Sequence, residues 1–250
     1  MTNELFREDA TRIECTARVL ALGEHAVVLD RTVFYPLGGG QAGDAGWLRL
    51  EDGSQLTIVD TRKESGEDGR PTGRIVHLLA PGESARLTTL RPGDAVIARI
   101  DAARRRRLMR FHTTTHLLCH LVGKPVNGCS ITPEHARLDF HMTEPLDKDE
   151  LSAGIARLVA AALPVVVGSV SEAELDANPQ LVKSMSVQPP RGSGTVRTIR
   201  IGQPDGALID LQPCGGTHVA NTAEIGAVRV TKIEKKSAST RRVVLGFAAD

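Results

Sequence analysis

The chain has 250 residues, 41% of them apolar and 3% aromatic, with a net charge of +1. That length and apolar content suffice for a core, which must be built mainly from Leu, Val, Ile and Ala. So few aromatics argue against a surface that grips single-stranded bases by stacking, and so small a net charge argues against a general polyanion binder. Cys15, Cys119, Cys129 and Cys214 form no disulfide framework. The polar N-terminus lacks a signal core, and no run approaches the ~18 apolar residues of a membrane helix. A soluble, cytoplasmic chain is expected, without a membrane and with no obligate protein partner evident.

Residues 11–101 read as β-rich. RIECTARVLAL, HAVVLD, TVFY, WLRL, QLTIVD, RIVHLL and DAVIARI are short and rich in branched side chains. Turns rich in Gly, Asp and Pro separate them, among them LGGGQAGDAG and ESGEDGRPTG. Strands at this spacing predict a small barrel or sandwich. The style changes near Asp101, which can cap a helix through DAARRRRLMRFHTTTHLLCHLV up to Gly123. Leu108, Phe111, Leu118 and Val122 share one side of it. Its threonines lower helix propensity, so packing must compensate.

A second helix is predicted in DKDELSAGIARLVAAALP, where Asp147 and Glu150 match a capping box and Pro164 stops the run. Leu151, Ile155, Leu158 and Val159 line its apolar face. VVVGSV reads as a strand, SEAELDANP as a short capped helix and QPPRGSGT as a loop. VRTIRI, ALIDL, IGAVRVTKI and RRVVLGF read as strands. The expected fold is α+β: an N-terminal β-barrel over residues 1–101, then an α+β domain over 102–250.

Charge is unevenly placed. Residues 102–124 hold five Arg, one Lys and no acid; residues 229–242 hold six basic residues and one acid, Glu234. Two basic patches on an otherwise acidic chain point to a specific anionic partner, with two solvated faces as the plain alternative.

His112 and His116 stand four apart in HTTTH. On a helix that separation is about 400° of rotation, so both imidazoles leave one face and can grip one ion. His116 and His120 have the same spacing, and spacing alone does not choose between the pairs. CGGTH adds Cys214 and His218. Two His plus one Cys and one His make a four-ligand N/S set that suits tetrahedral zinc. Gly215 and Gly216 are expected to permit positive φ and a close approach of main chain. Their N–H groups can also face a developing negative charge. The plain alternative is a glycine turn beside a core cysteine and a surface histidine. Thr113 follows His112 where a metallopeptidase carries its Glu base, so any substrate must be easier to cleave than an amide. Four protein ligands are also compatible with a closed, structural site.

RRxxMRFHTTTHLL followed by CGGTH closely resembles the editing domain of alanyl-tRNA synthetases, which is related to that of threonyl-tRNA synthetases. VNGCSITPEHARLDF is similar to the stretch between those motifs there, and FYPLGGGQAGDAG looks like the glycine-rich segment of the preceding small barrel. The order and spacing match over nearly the whole chain. Because the chain begins at the barrel, it resembles the freestanding AlaX-type editing proteins that keep that barrel.

The resemblance implies ATP-independent, zinc-dependent hydrolysis of mischarged alanine tRNA, chiefly seryl-tRNA and secondarily glycyl-tRNA. By matching position, His112, His116, Cys214 and His218 would bind Zn2+, and Thr115 would line the amino-acid pocket. Asn127 and Ser130 are polar neighbours expected to face that pocket. With Thr115 they are candidate partners for a substrate hydroxyl. Gly38, Gly39, Gly40 and Gln41 match the glycine-rich motif and are assigned to tRNA binding. Arg104, Arg105, Lys232, Lys235 and Arg241 are placed on acceptor-stem phosphates. Zinc would either hold the substrate amino group or activate water. Cys129 and the hairpin SASTRRVV depart from the usual pattern. Cys15, Cys119 and His120 read as core or helix-face residues, and Asp139 as a partner of Arg137. Two other readings stand beside this one: a tRNA-binding module whose zinc is only structural, and a small-molecule metallohydrolase.

Overall fold

The computed structural model describes residues 1–248. Two compact units are present: Met1–Gly38 with Ala42–Arg106, and Gly39–Gln41 with the chain from Arg107 onward.

In the first unit, β1 (Asn3–Glu4) pairs with β4 (Arg31–Thr32) in parallel. A closed barrel is formed by β2 (Glu14–Leu22), β3 (Ala26–Leu29), β5 (Gly46–Arg49), β6 (Gln55–Ser65), β7 (Pro71–Leu79) and β8 (Ala95–Ile100). Its order is β2-β3-β7-β6-β5-β8, with every neighbour antiparallel. Strand alternation fills the interior: along β2, Cys15, Ala17 and Val19 are buried while Glu14, Thr16, Arg18 and Leu20 face outward. Branched side chains from the other strands complete the core, among them Val27, Leu48, Leu56, Ile58 and Ile100. Of the barrel and the sandwich that the sequence allows, the barrel is the one adopted.

TVFY is not a strand beyond Thr32. Val33, Phe34 and Tyr35 are buried, but the amides of the last two go to side chains. Phe34 N–H donates to Thr32 Oγ1 at 3.0 Å and Tyr35 N–H to Asp44 Oδ2 at 2.7 Å. Buried amides need partners, and here side chains replace a ladder. Arg105, only 2% exposed, grips the same Asp44 and also donates to the carbonyls of Ala10 and Val33 at 2.7 and 2.6 Å.

α1 (Ala102–Val122) starts at Asp101, whose Oδ1 accepts from Arg104 N–H at 2.9 Å. It stops at Gly123, which has φ 63°. The expected one-sided apolar stripe is exceeded: from Phe111 through Cys119 every residue is buried, His112 and all three threonines included. The threonines are tolerated because two hydroxyls bond back within the helix. Thr114 donates to Arg110 O at 2.8 Å and Thr115 to His112 O at 2.7 Å.

The second unit holds two sheets. β9 (Val126–Ile131), β10 (Ala136–His141), β14 (Val228–Ser237) and β15 (Thr240–Phe247) are ordered β14-β15-β10-β9. β11 (Val165–Ser171), β12 (Thr195–Gly202) and β13 (Leu208–Pro213) form the other sheet in that order. α2 (Lys148–Ala160) is capped by Asp147, which accepts from the amides of Asp149 and Glu150. α3 (Glu172–Ala177) is capped by Ser171. Phe111 meets Phe247 with centroids 4.2 Å apart, and the guanidinium groups of Arg107 and Arg110 lie over the Phe247 ring at 4.3 and 4.2 Å. Among the described residues no helix is long and apolar enough to cross a membrane.

Candidate metal centre

α1 supplies His112 and His116, and the turn after β13 supplies Cys214 and His218. One donor atom from each lies within 4.8 Å of the others. Cys214 Sγ is 3.5 Å from His112 Nε2 and 3.3 Å from His218 Nε2. A tetrahedral ion with ordinary zinc–nitrogen and zinc–sulfur bonds needs donor separations of roughly 3.3–3.6 Å. The two cysteine–histidine separations match that geometry, and the whole set, spread over no more than 4.8 Å, could hold an ion. His120, left open by spacing, is exposed.

Each imidazole is held from behind through Nδ1. His112 Nδ1 is 2.8 Å from Gln41 Oε1, His116 Nδ1 is 2.8 Å from Asp210 Oδ2, and His218 Nδ1 is 3.2 Å from Thr113 Oγ1. The orientation of the Gln41 amide is set by Thr217, whose N–H donates to Oε1 at 3.1 Å and whose hydroxyl accepts from Nε2 at 2.9 Å. An amide oxygen and a carboxylate accept only, so His112 and His116 carry the proton on Nδ1 and present Nε2 to the cluster.

The cluster perturbs its own proton affinities. Burial alone would raise the Cys214 thiol, but the adjoining His112 and His218 bring it well below the ordinary thiol range. Burial, with His112 alongside, pushes His218 down to about 3. For His116 burial acts downward, yet the hydrogen bond to Asp210 and the nearby Cys214 lift it to about 9. A deprotonated thiol beside the neutral His218 is the form a metal requires of its ligands, and His116 must release a proton to join them.

Of the two expectations for the glycines of CGGTH, the close approach of main chain is met at Gly216 and the positive φ is not. Neither Gly215 nor Gly216 adopts positive φ. Gly216 is required for space: a Cβ there would stand 2.1 Å from His112 Cε1 and 2.4 Å from its Nδ1. Its amide lies 3.4 Å from Cys214 Sγ as donor. Positive φ occurs instead in the glycine-rich motif, at Gly39 (59°) and Gly40 (86°). Gly40 O accepts from Ile131 N–H at 2.7 Å, and a Cβ on Gly40 would meet Cys129 Sγ at 2.8 Å.

The other residues singled out from the sequence fall in varied surroundings. Thr115 is 3% exposed, with its hydroxyl proton committed to His112 O. Asn127 and Ser130 are half-buried on β9, and Asn127 Nδ2 donates to Thr240 Oγ1 at 3.3 Å. Gln41 is fully buried and engaged with His112 and Thr217, which leaves its amide no tRNA contact to make. Gly38 O accepts from the Tyr35 hydroxyl. Arg105 is occupied by Asp44, Ala10 and Val33, so it is a buried structural cation and not a surface one. Arg104 is half-buried and donates to Gly43 O. Arg241 is also buried, bonded to the carbonyls of Ser237, Thr240 and Thr143. Lys232 is exposed and paired with Glu234 at 2.6 Å, while Lys235 and Lys236 are exposed. Asp139 meets Arg137 at 3.3 Å and is held more firmly by Arg242, at 2.7 and 2.8 Å.

Sequence reasoning missed Asp210, Lys183 and the supporting role of Thr113. The available signal was an Asp in the otherwise apolar run ALIDL, four residues before Cys214.

Residues 196–244 match the family described as the threonyl and alanyl tRNA synthetase second additional domain, and residues 7–104 match class II (A) tRNA synthetases. The alanyl-tRNA editing protein AlaX-M of Saccharolobus solfataricus is 32% identical over 247 residues, covering 97% of this chain and 98% of that one. The AlaX-M protein of Methanosarcina barkeri is 34% identical over 252 residues, with the same coverage of 97% and 98%. The alanine–tRNA ligase of Sulfurisphaera tokodaii is 33% identical over 246 residues, which are 94% of this chain but 25% of the ligase. The chain thus spans about a quarter of the length of the ligases it matches. It belongs to the AlaX-M family of alanyl-tRNA editing proteins.

Proposed function

We propose that this protein is a zinc-dependent deacylase that hydrolyses the ester of mischarged alanine tRNA, seryl-tRNA(Ala) first and glycyl-tRNA(Ala) second. The observation that carries the reading is the convergence of His112, His116, Cys214 and His218 in a chain matched end to end by proteins named for alanyl-tRNA editing. Residues 102–250 would form the editing domain, and residues 1–101 the barrel that accompanies it.

A bound zinc would supply Lewis acidity toward the substrate amino group or a water molecule. The chain's own residues do the rest. His112, His116, Cys214 and His218 would hold the ion, and Gln41, Asp210 and Thr113 orient the imidazoles. An aminoacyl ester is labile enough to need no Glu base, consistent with Thr113 at the position where a peptidase carries one. Ser130 and Asn127, half-buried on β9, offer polar groups to the serine hydroxyl; Thr115 can still accept through its oxygen although its proton is used. A pocket that bonds a hydroxyl rejects alanine by leaving those groups unpaired, a discrimination of ~10⁴-fold or more. The exposed Lys232, Lys235 and Lys236 would meet acceptor-stem phosphates, positioning the tRNA without reading its sequence.

The test is a deacylation assay on seryl-tRNA(Ala) and alanyl-tRNA(Ala), with metal-free and zinc-restored protein. Release of serine only, and only with metal, is expected. Binding of tRNA without release of either amino acid would instead identify a binding module with a structural metal.

A further inference from the structure

Asp210 is 1% exposed on β13 and carries three donors. His116 Nδ1 and Gln212 Nε2 each lie 2.8 Å from Oδ2, and Lys183 Nζ holds Oδ1. Lys183 is itself anchored: its carbonyl accepts from Val126 N–H at 2.9 Å, and Met185 N–H donates to Val126 O at 2.8 Å. Burying the Asp210 carboxylate is costly, and the Lys183 ammonium that offsets it keeps 25% of its side-chain exposure. Stability of the sheet alone does not call for them.

We propose that Asp210 is a positioning residue of the metal centre, keeping the proton of His116 on Nδ1 and its Nε2 free for the ion. Lys183 and Gln212 hold the carboxylate in register, each from its own side. The three imidazoles thus have unequal partners: a carboxylate on His116, an amide on His112 and a hydroxyl on His218. An ionised acceptor makes the strongest of these bonds and the most electron-rich ligand, so His116 is the imidazole most dependent on its partner. Asp210→Asn is the informative change, because an amide of the same shape can turn its NH2 toward the ring and favour the wrong tautomer.

This inference rests on the reading of the cluster as a zinc site, and the experiment separates the two. Zinc affinity of the full chain is measured by competition with a chromophoric chelator, alongside the Nδ1 proton resonance of His116 in the zinc-loaded protein. In the wild type, tight zinc binding and a downfield, slowly exchanging Nδ1 proton are expected. Asp210→Asn should lower zinc affinity about 10–100-fold and shift that resonance upfield. Lys183→Met, which leaves the ligands and Asp210 intact, should lower affinity less and shift the same proton in the same direction. A wild type that binds no zinc overturns the metal reading and this inference with it. Zinc-binding wild type with unchanged affinity and resonance in Asp210→Asn overturns this inference alone. Should Asp210→Asn fail to fold, an unmoved proton in Lys183→Met overturns it equally.

Discussion

Gly216 presses on the ring of His112 so closely that a methyl group would stand 2.1 Å from Cε1 and 2.4 Å from Nδ1. The second glycine of CGGTH is there because the His112 imidazole occupies the place of its side chain. Gly216→Ala should displace the ring, and a shift near 1 Å costs about 100-fold in activity. Gly215→Ala, at an exposed position, should be tolerated. Comparing zinc content and deacylation rate of the two variants checks this.

Gln41 reaches the same ring from the glycine-rich motif. Removing its amide in Gln41→Ala strips His112 of its Nδ1 partner and should weaken zinc binding about 10-fold or more. The affinity for tRNA should stay unchanged, because the residue is fully buried. Weakened tRNA binding with normal metal affinity would return Gln41 to the role of a tRNA contact.

Arg105 and Lys235 should behave oppositely. Arg105→Ala leaves Asp44 buried without its cation and should cost about 3–5 kcal/mol in stability, read by urea unfolding. Lys235→Ala should leave stability unchanged but reduce the slope of log K against log salt for tRNA by about 1. An unaltered slope would remove Lys235 from the tRNA surface.

His77 makes the barrel acid-sensitive. Burial holds it neutral, with a pKa lowered to about 4; Nδ1–H donates to Val27 O at 3.0 Å and Nε2 meets the Thr32 hydroxyl at 2.8 Å. The unfolded chain takes up this proton near pH 6.5 and the folded chain does not until about 4. The contribution of His77 is therefore full above pH 6.5 and declines as pH falls toward 4, by ~3 kcal/mol in all. Unfolding of the wild type and of His77→Gln at pH 7 and at about pH 4.5 should show a smaller acid loss in the variant.

The barrel was legible because alternation and turn chemistry repeat along residues 11–101, and α1 because Asp101 and Gly123 mark its ends. The ligand set was legible as residue types, though two histidine pairs shared the spacing; burial of His116 and exposure of His120 separate them. TVFY misled because buried branched residues look alike whether a neighbouring strand or Asp44 takes their amides. β9 was hidden: VNGCSI has little β propensity, and its pairing with β10 is a tertiary matter. Arg105 looked like its neighbours in RRRR, and only the fold turns that one side chain inward. Asp210 and Gln41 lie 94 and 71 residues from the histidines they hold, separations at which no local pattern speaks.

X-ray absorption at the zinc edge of the purified, zinc-loaded protein tests the convergence of the four side chains most directly. One sulfur and three imidazole nitrogens around a single zinc are expected. A shell without sulfur, or a protein that retains no zinc, would contradict the account.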